Sequence, residues 1–233
     1  MTYTAVFFDA GETLVHPYPS FPDLFAEILR GEGFEVSADA VRAHGHVVFD
    51  RFEAAARTNE LWTTSPERSR RFWHEVYDIV LAELDIPNSN GLVDVVYAAF
   101  TDSSNYRLFD DVVPVIDRLG NEGLTLGIVS NFEVWLERLL DELGVRDAFD
   151  VCVISGVEGI EKPDPAIFRL AMDRAGVPPE RSVYVGDNPR FDVDPARDAG
   201  MLPVLIDRRE RFPDAPPPRI ESLSALPAVL GLS

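Results

Sequence analysis

Asp9 with Thr13, Ser130 with Asn131, Lys162, and Asp187 with Asp192 form four polar clusters, each beyond an apolar run of the chain. Asp9 and Asp187, brought together, would make a hard-oxygen site that suits Mg2+ better than a soft metal. The ammonium of Lys162 beside them would neutralise part of their charge. The Ser130 hydroxyl and the backbone amides after residue 129, around Asn131, can receive phosphoryl oxygens. Thr13 is either a plain turn residue or one more hydroxyl for the same ligand. Taken singly, Asp9 or Asp187 could simply cap a helix, as many aspartates do. Their conjunction with Lys162, the only lysine of the chain, favours chemistry.

The elements that must position these residues follow from periodicity and punctuation. Five β-rich apolar runs, 3–8, 124–129, 151–154, 182–185 and 202–206, read as buried strands. Helical stretches separate them. Residues 112–119 stop at Gly120 and 134–143 stop at Gly144, as helices prefer. Asp164-Pro165 opens a helix that ends at Gly176. Strands alternating with helices predict an α/β fold with a doubly wound parallel sheet, whose ligands sit outside the carboxyl ends of the strands. Four of the five strand ends carry one of the four polar clusters.

Between residues 16 and 105 the pattern turns to helix after helix, with Ser20, Ser37 and Ser65-Pro66 as starts. Trp73, Val76, Tyr77, Val80, Leu81 and Leu84 share one helical face. This region is expected to be an all-helical insert after the first strand, leaving 1–15 and 106–233 as the core. Pro17, Pro19, Pro22 and residues 103–105 read as hinges. The proline-rich tail from Arg208 onward is expected to wrap the surface without joining the sheet.

Composition narrows the partners. A net charge of −19 repels nucleic acid and anionic membranes, so an anionic substrate must be held by local positive groups. No apolar run is long enough to span a bilayer, and no basic leader precedes the first strand, so a cytoplasmic location is expected. Cys152 sits in a strand, with nothing near it to activate a thiol. His44 and His46 flank Gly45 without a third ligand at metal-site spacing. Arg68, Arg70, Arg71, His74 and Trp62 are conceivable substrate contacts in the insert, though a charged helix start is more often a solvated face. Oligomeric state is not encoded in any pattern of this kind.

FFDAGETL, IVSNF, KPDP and VGDNPRFD, in that order, resemble the four motifs of the haloacid dehalogenase-like superfamily. The run from VSNF to GDNPRFD is especially similar to the branch named haloacid dehalogenase-like hydrolase domain-containing protein 3. The resemblance implies a Rossmann-like core, with the helical insert as a cap domain. It implies a hydrolase in which Asp9 is the nucleophile that forms an aspartyl-phosphate. Ser130 would bind the transferring phosphoryl group, and Lys162 would steady nucleophile and phosphate. Asp187 would bind Mg2+, with Asp192 supporting it and the Gly11 carbonyl as a further ligand. The substrate class implied is a small phosphorylated metabolite.

One position departs from the pattern. Phosphatases of the superfamily usually carry a second aspartate two residues after the nucleophile, as the acid for the leaving group. Here that residue is Gly11, and general acid catalysis is worth about 10² to 10⁴ in rate. Glu12 is one residue out of place for rescue. Substrates with good leaving groups, such as acyl or aryl phosphates, are therefore expected. A 2-haloacid dehalogenase would need no acid, but would leave Asp187 and Asp192 as idle carboxylates beside Asp9. A Schiff-base phosphonate hydrolase would need a cap lysine, which the insert lacks. A phospho-ligand-binding protein on a degenerate fold is the reading outside catalysis.

Overall fold

The computed structural model describes residues 3–58 and 60–232. Met1, Thr2, Asn59 and Ser233, which fall in the expected core, insert and tail, lie outside the described residues.

The chain divides into two compact units, Met1–Val15 with Leu108–Ser233, and His16–Arg107. The first is built on a six-stranded sheet in the order β5-β4-β1-β6-β7-β8. These strands are β1 (Ala5–Phe8), β4 (Thr125–Ser130), β5 (Val151–Ile154), β6 (Ser182–Gly186), β7 (Leu202–Ile206) and β8 (Arg219–Ile220). Every neighbouring pair is parallel. The helices between the strands are α6 (Val112–Asn121), α7 (Leu136–Glu142), α8 (Ser155–Glu158), α9 (Ala166–Ala175) and α10 (Asp194–Asp198), with α11 (Leu226–Val229) closing the unit. Strand order reverses around β1, so the chain winds outward in both directions from the strand that ends at Asp9. That is the switch point where doubly wound sheets open a crevice.

Parallel strands covered on both faces should be apolar throughout, and β1 is buried at all its positions. Ala5 and Phe7 pack with Ile167, Phe168 and Met172 of α9 and with Tyr184 of β6. Phe8, on the alternate face, meets Phe149 edge-on at 6.3 Å. Gly127 of β4 has a steric reason to be glycine: a Cβ there would lie 2.5 Å from the Phe7 ring. Gly176 ends α9 in the left-handed region, as expected, and the Asp164 carboxylate accepts from Ala166 N at 2.8 Å.

Three expectations are corrected. The helix expected to stop at Gly120 runs through it to Asn121, and the left-handed glycine beyond its end is Gly123. The tail does join the sheet. Arg219–Ile220 pairs with β7, and Leu205 N donates to Pro218 O while Asp207 N donates to Ile220 O. Two residues preceded by three prolines carry no alternation to read, so the edge strand has no local signature. Strand structure also touches the ends of the helical insert. β2 (Val15–Pro17) and β3 (Tyr106–Leu108) pair as a two-stranded sheet at its entry and exit. They are too short for any periodicity.

The second unit contains α1 (Phe21–Gly31), α2 (Ala38–Ala43), α3 (Gly45–Thr58), α4 (Pro66–Glu83) and α5 (Leu92–Phe100). Ser20, Ser37 and Ser65 cap α1, α2 and α4 through their side chains. Its core includes Phe25, Phe72, Val76, Tyr77, Val80 and Leu81, and Trp73 packs against that core. Trp62 stacks on Phe72 at 4.6 Å and is buried there. His44 faces Glu83 at 3.3 Å.

Gly127→Ala should destabilise the protein by about 1–3 kcal/mol, the range for overpacking a tight core. Denaturant unfolding checks this: the midpoint falls with an unchanged slope, whereas an unchanged midpoint means that Phe7 yields freely.

Candidate active site

The carboxyl ends of β1, β4 and β6, with the loop after β5, converge on one buried ammonium. Lys162 Nζ lies 2.7 Å from Asp9 Oδ1, 2.6 Å from Asp192 Oδ1 and 2.9 Å from the Tyr184 hydroxyl. Ser130, the last residue of β4, donates from Oγ to the same Asp9 oxygen at 2.9 Å. Asp9 is 7% exposed, Lys162 2% and Asp192 1%. An ammonium so buried is tolerable only when paired, and here each of its contacts is an oxygen.

The supporting contacts are equally specific. Asn131 Nδ2 donates to Lys162 O at 2.8 Å, and Lys162 N donates to Asn131 Oδ1 at 2.7 Å. This reciprocal pair fastens the loop after β5 to the end of β4 and engages both polar atoms of the Asn131 side chain. The Tyr184 hydroxyl lies 2.8 Å from Val129 O and 3.0 Å from Asp192 Oδ1, so its one proton serves either acceptor while a lone pair receives the ammonium. Asp192 Oδ2 accepts from Asn188 N at 2.9 Å. A turn of π-helix over Pro189–Val193 returns Asp192 beneath β6, so close that a Cβ on Gly186 would lie 2.3 Å from its carboxyl carbon. Gly186 is thus glycine because the carboxylate occupies that space.

Asp9, Asp187 and Asp192 offer carboxylate oxygens that all lie within 4.8 Å of one another. Burial, with the neighbouring carboxylates adding to it, raises Asp9 to about 7, against the pull of Lys162. Burial likewise raises Asp187 to about 6, with Arg211 opposing the shift. Such a trio of hard oxygens fits a divalent cation of the Mg2+ type. Among the described residues this is the cluster of His, Cys, Asp and Glu that meets that geometry, and His44 and His46 are not part of one.

The loop after Asp9 turns back on itself, with Leu14 N and Val15 N donating to Ala10 O. Gly11 bridges to Val15. A Cβ on Gly11 would meet nothing within 4 Å. Glu12 adopts a φ of 56°, and its carboxylate pairs with Arg209 at 2.7 Å. Thr13 is fully buried with its hydroxyl unpartnered.

Arg208, Arg209 and Arg211 were not singled out by the sequence, yet all three grip this region. Arg208 binds Asp111 through Nη1 and Nη2, each at 2.8 Å, and donates from Nη2 to Thr13 O at 2.8 Å. Arg209 takes Glu12. Arg211 Nη2 lies 2.5 Å from Asp187 Oδ2. The signal was present: Asp207, Arg208 and Arg209 directly follow the fifth strand, as the other polar clusters follow theirs.

A family model described as haloacid dehalogenase-like hydrolase matches residues 3–200. The chain belongs to this family. Haloacid dehalogenase-like hydrolase domain-containing protein 3 of Mus musculus is 30% identical over 197 residues, 79% of this chain and 78% of the relative. Glyceraldehyde 3-phosphate phosphatase of Methanopyrus kandleri is 33% identical over 221 residues, 91% of this chain and 87% of the relative. Among solved structures, the magnesium-bound putative HAD-hydrolase YfnB of Bacillus subtilis superimposes with a TM-score of 0.79 at 17% identity, covering 100% of both chains. That likeness speaks for the fold alone.

The raised carboxylates set a sign for stability. A group that holds its proton more tightly when folded favours the fold at low pH, and the advantage is lost as pH rises through 6 and 7. Asp187→Asn removes one of the crowded charges. Without divalent cations it should melt above the wild type at pH 8, by about 2–4 °C per kcal/mol relieved, and the gap should close near pH 4. A wild type melting at or above the variant at pH 8 contradicts this balance.

Proposed function

We propose that this hydrolase is a Mg2+-dependent phosphatase of small phosphorylated metabolites, in which Asp9 forms an aspartyl-phosphate. The observation that carries the proposal is the Asp9 carboxylate at the switch point of the sheet, one oxygen fixed by Lys162 and Ser130. That grip leaves the second oxygen to attack phosphorus. As the new bond to phosphorus forms, the bond to the leaving oxygen breaks and its electron pair stays with the leaving group. Water then attacks phosphorus, releasing phosphate and restoring Asp9.

Asp9, Asp187 and Asp192 would hold the Mg2+, with the Gly11 carbonyl as a further ligand. Bound there, the ion would supply Lewis-acid charge stabilisation. The fit has a chemical reason besides the donor set. Burial and the neighbouring carboxylates push Asp9 up to about 7, toward its protonated form, and a protonated carboxyl is a poor nucleophile. A cation among these carboxylates favours the ionised form.

Lys162 holds Asp9 and would neutralise the arriving phosphoryl group. Ser130 and the backbone about Asn131 would receive its oxygens, while the Asn131 side chain keeps Lys162 in place. The buried Thr13 hydroxyl is offered to the same group. The helical unit, residues 16–105, would be the cap domain of this family. The relatives named as phosphatases favour a phosphorylated substrate over a haloacid.

Gly11 sets the leaving-group range. No acid stands there, and Glu12 is engaged by Arg209. Acyl and aryl phosphates, whose leaving groups depart as stable anions, suit this site. Purified protein should hydrolyse acetyl phosphate and p-nitrophenyl phosphate, chelator should abolish the activity, and Asp9→Asn should lower it by at least about 10³. If neither substrate turns over but a phosphorylated ligand binds tightly, the protein is a binding module on this fold. That second reading is favoured by Gly11 alone.

The open space at Gly11 permits a sharper test. Gly11→Asp introduces a carboxyl without a clash at its Cβ. It should raise kcat on alkyl phosphates by about 10-fold or more, within the range for general acid catalysis, and change acetyl phosphate hydrolysis little. Equal effects on both substrates would show that protonation of the leaving group does not limit the enzyme.

A further inference from the structure

Arg211 stands where the metal-site reading puts a cation. Its guanidinium lies 2.5 Å from Asp187 Oδ2, and the loop that carries it is built to hold it there. Asp207, fully buried, accepts from Arg211 N at 2.8 Å and from Phe212 N at 2.9 Å. Arg219 pairs with the same carboxylate from the edge strand, at 2.9 Å. Glu210 takes a φ of 52° to close the turn. A loop tied down in this way delivers the arginine to one place at little entropic cost.

We infer that Arg211 is the resident counter-ion of Asp187, a positioning residue that occupies this carboxylate until a divalent cation replaces it and so sets the metal affinity of the site. The inference rests on the metal-site reading above. Charge balance supports it. The three clustered carboxylates face Lys162, which is locked between Asp9 and Asp192, and Arg211, which touches Asp187 alone. A divalent cation together with Lys162 balances three negative charges. The guanidinium then becomes surplus, a like charge beside the ion.

The two cations also differ in freedom. The Lys162 side chain is 3% exposed and hydrogen-bonds to three separate groups, so it has nowhere to go. The Arg211 side chain is 40% exposed and can swing toward water without leaving a buried charge. Displacement by metal is therefore a rotamer change at Arg211 and would be a disruption at Lys162. In a metal-poor solution the arginine keeps Asp187 paired. In a metal-rich one it yields.

Isothermal titration of metal-free protein with Mg2+ at pH 8 tests this without any substrate. Arg211→Met keeps the length of the side chain and removes its charge, and should bind Mg2+ roughly tenfold more tightly than the wild type, as expected on deleting a nearby like charge. Arg211→Lys keeps the charge and should stay within about threefold of the wild type. If the wild type binds and Arg211→Met binds equally or more weakly, the counter-ion role is overturned and the metal site stands. If neither binds, the metal site itself fails and the counter-ion role falls with it. Melting curves of each variant without metal confirm that the comparison is between folded proteins.

Discussion

The arrangement depends on one ammonium buried between two carboxylates. Lys162 draws Asp9 from β1 and Asp192 from beyond β6 to a common point, with Tyr184 beside them. Removing the lysine would leave two carboxylates facing one another in a dry interior, which costs several kcal/mol. The surrounding structure reads as the means of keeping that group in place. Asn131 clamps the lysine backbone, Gly186 makes room for Asp192, and the π-turn returns Asp192 beneath the strand. The parallel sheet supplies rigid strand ends from which these residues project.

Much of this was legible in the chain. The only lysine, two aspartates at strand ends and a serine after a fourth apolar run named the convergent residues, because doubly wound topology brings strand ends together. Gly176 and the serine caps marked helix limits by local rules that tertiary contacts did not override. What was not legible shares a cause. Tyr184 looks like a core aromatic, and only its hydroxyl, deep in the fold, gives it a polar task. Arg219–Ile220 is a strand because β7 offers an edge, and two residues hold no period. Arg208, Arg209 and Arg211 act across separations in sequence that no local pattern records, though their place after a strand end was a usable sign.

Negative charge is the recurrent constraint. A chain of net charge −19 has gathered three carboxylates at one spot, with Glu12 close by, and has set Lys162, Arg209 and Arg211 against them. Burial still raises Asp9 to about 7 and Asp187 to about 6. Carboxylates crowded in this way could hold a cation. On the proposed reading, Gly11 would then set which phosphates are attacked, by withholding the proton from the leaving group.

The direct measurement is a single-turnover reaction with acetyl phosphate and Mg2+, quenched in acid within the first turnover and read by peptide mass spectrometry. The account predicts a phosphoryl group on the peptide that contains Asp9, absent in Asp9→Asn and lost on further incubation before quenching. Turnover without any phosphorylated Asp9 peptide, or a phosphoryl group on another residue, would contradict it.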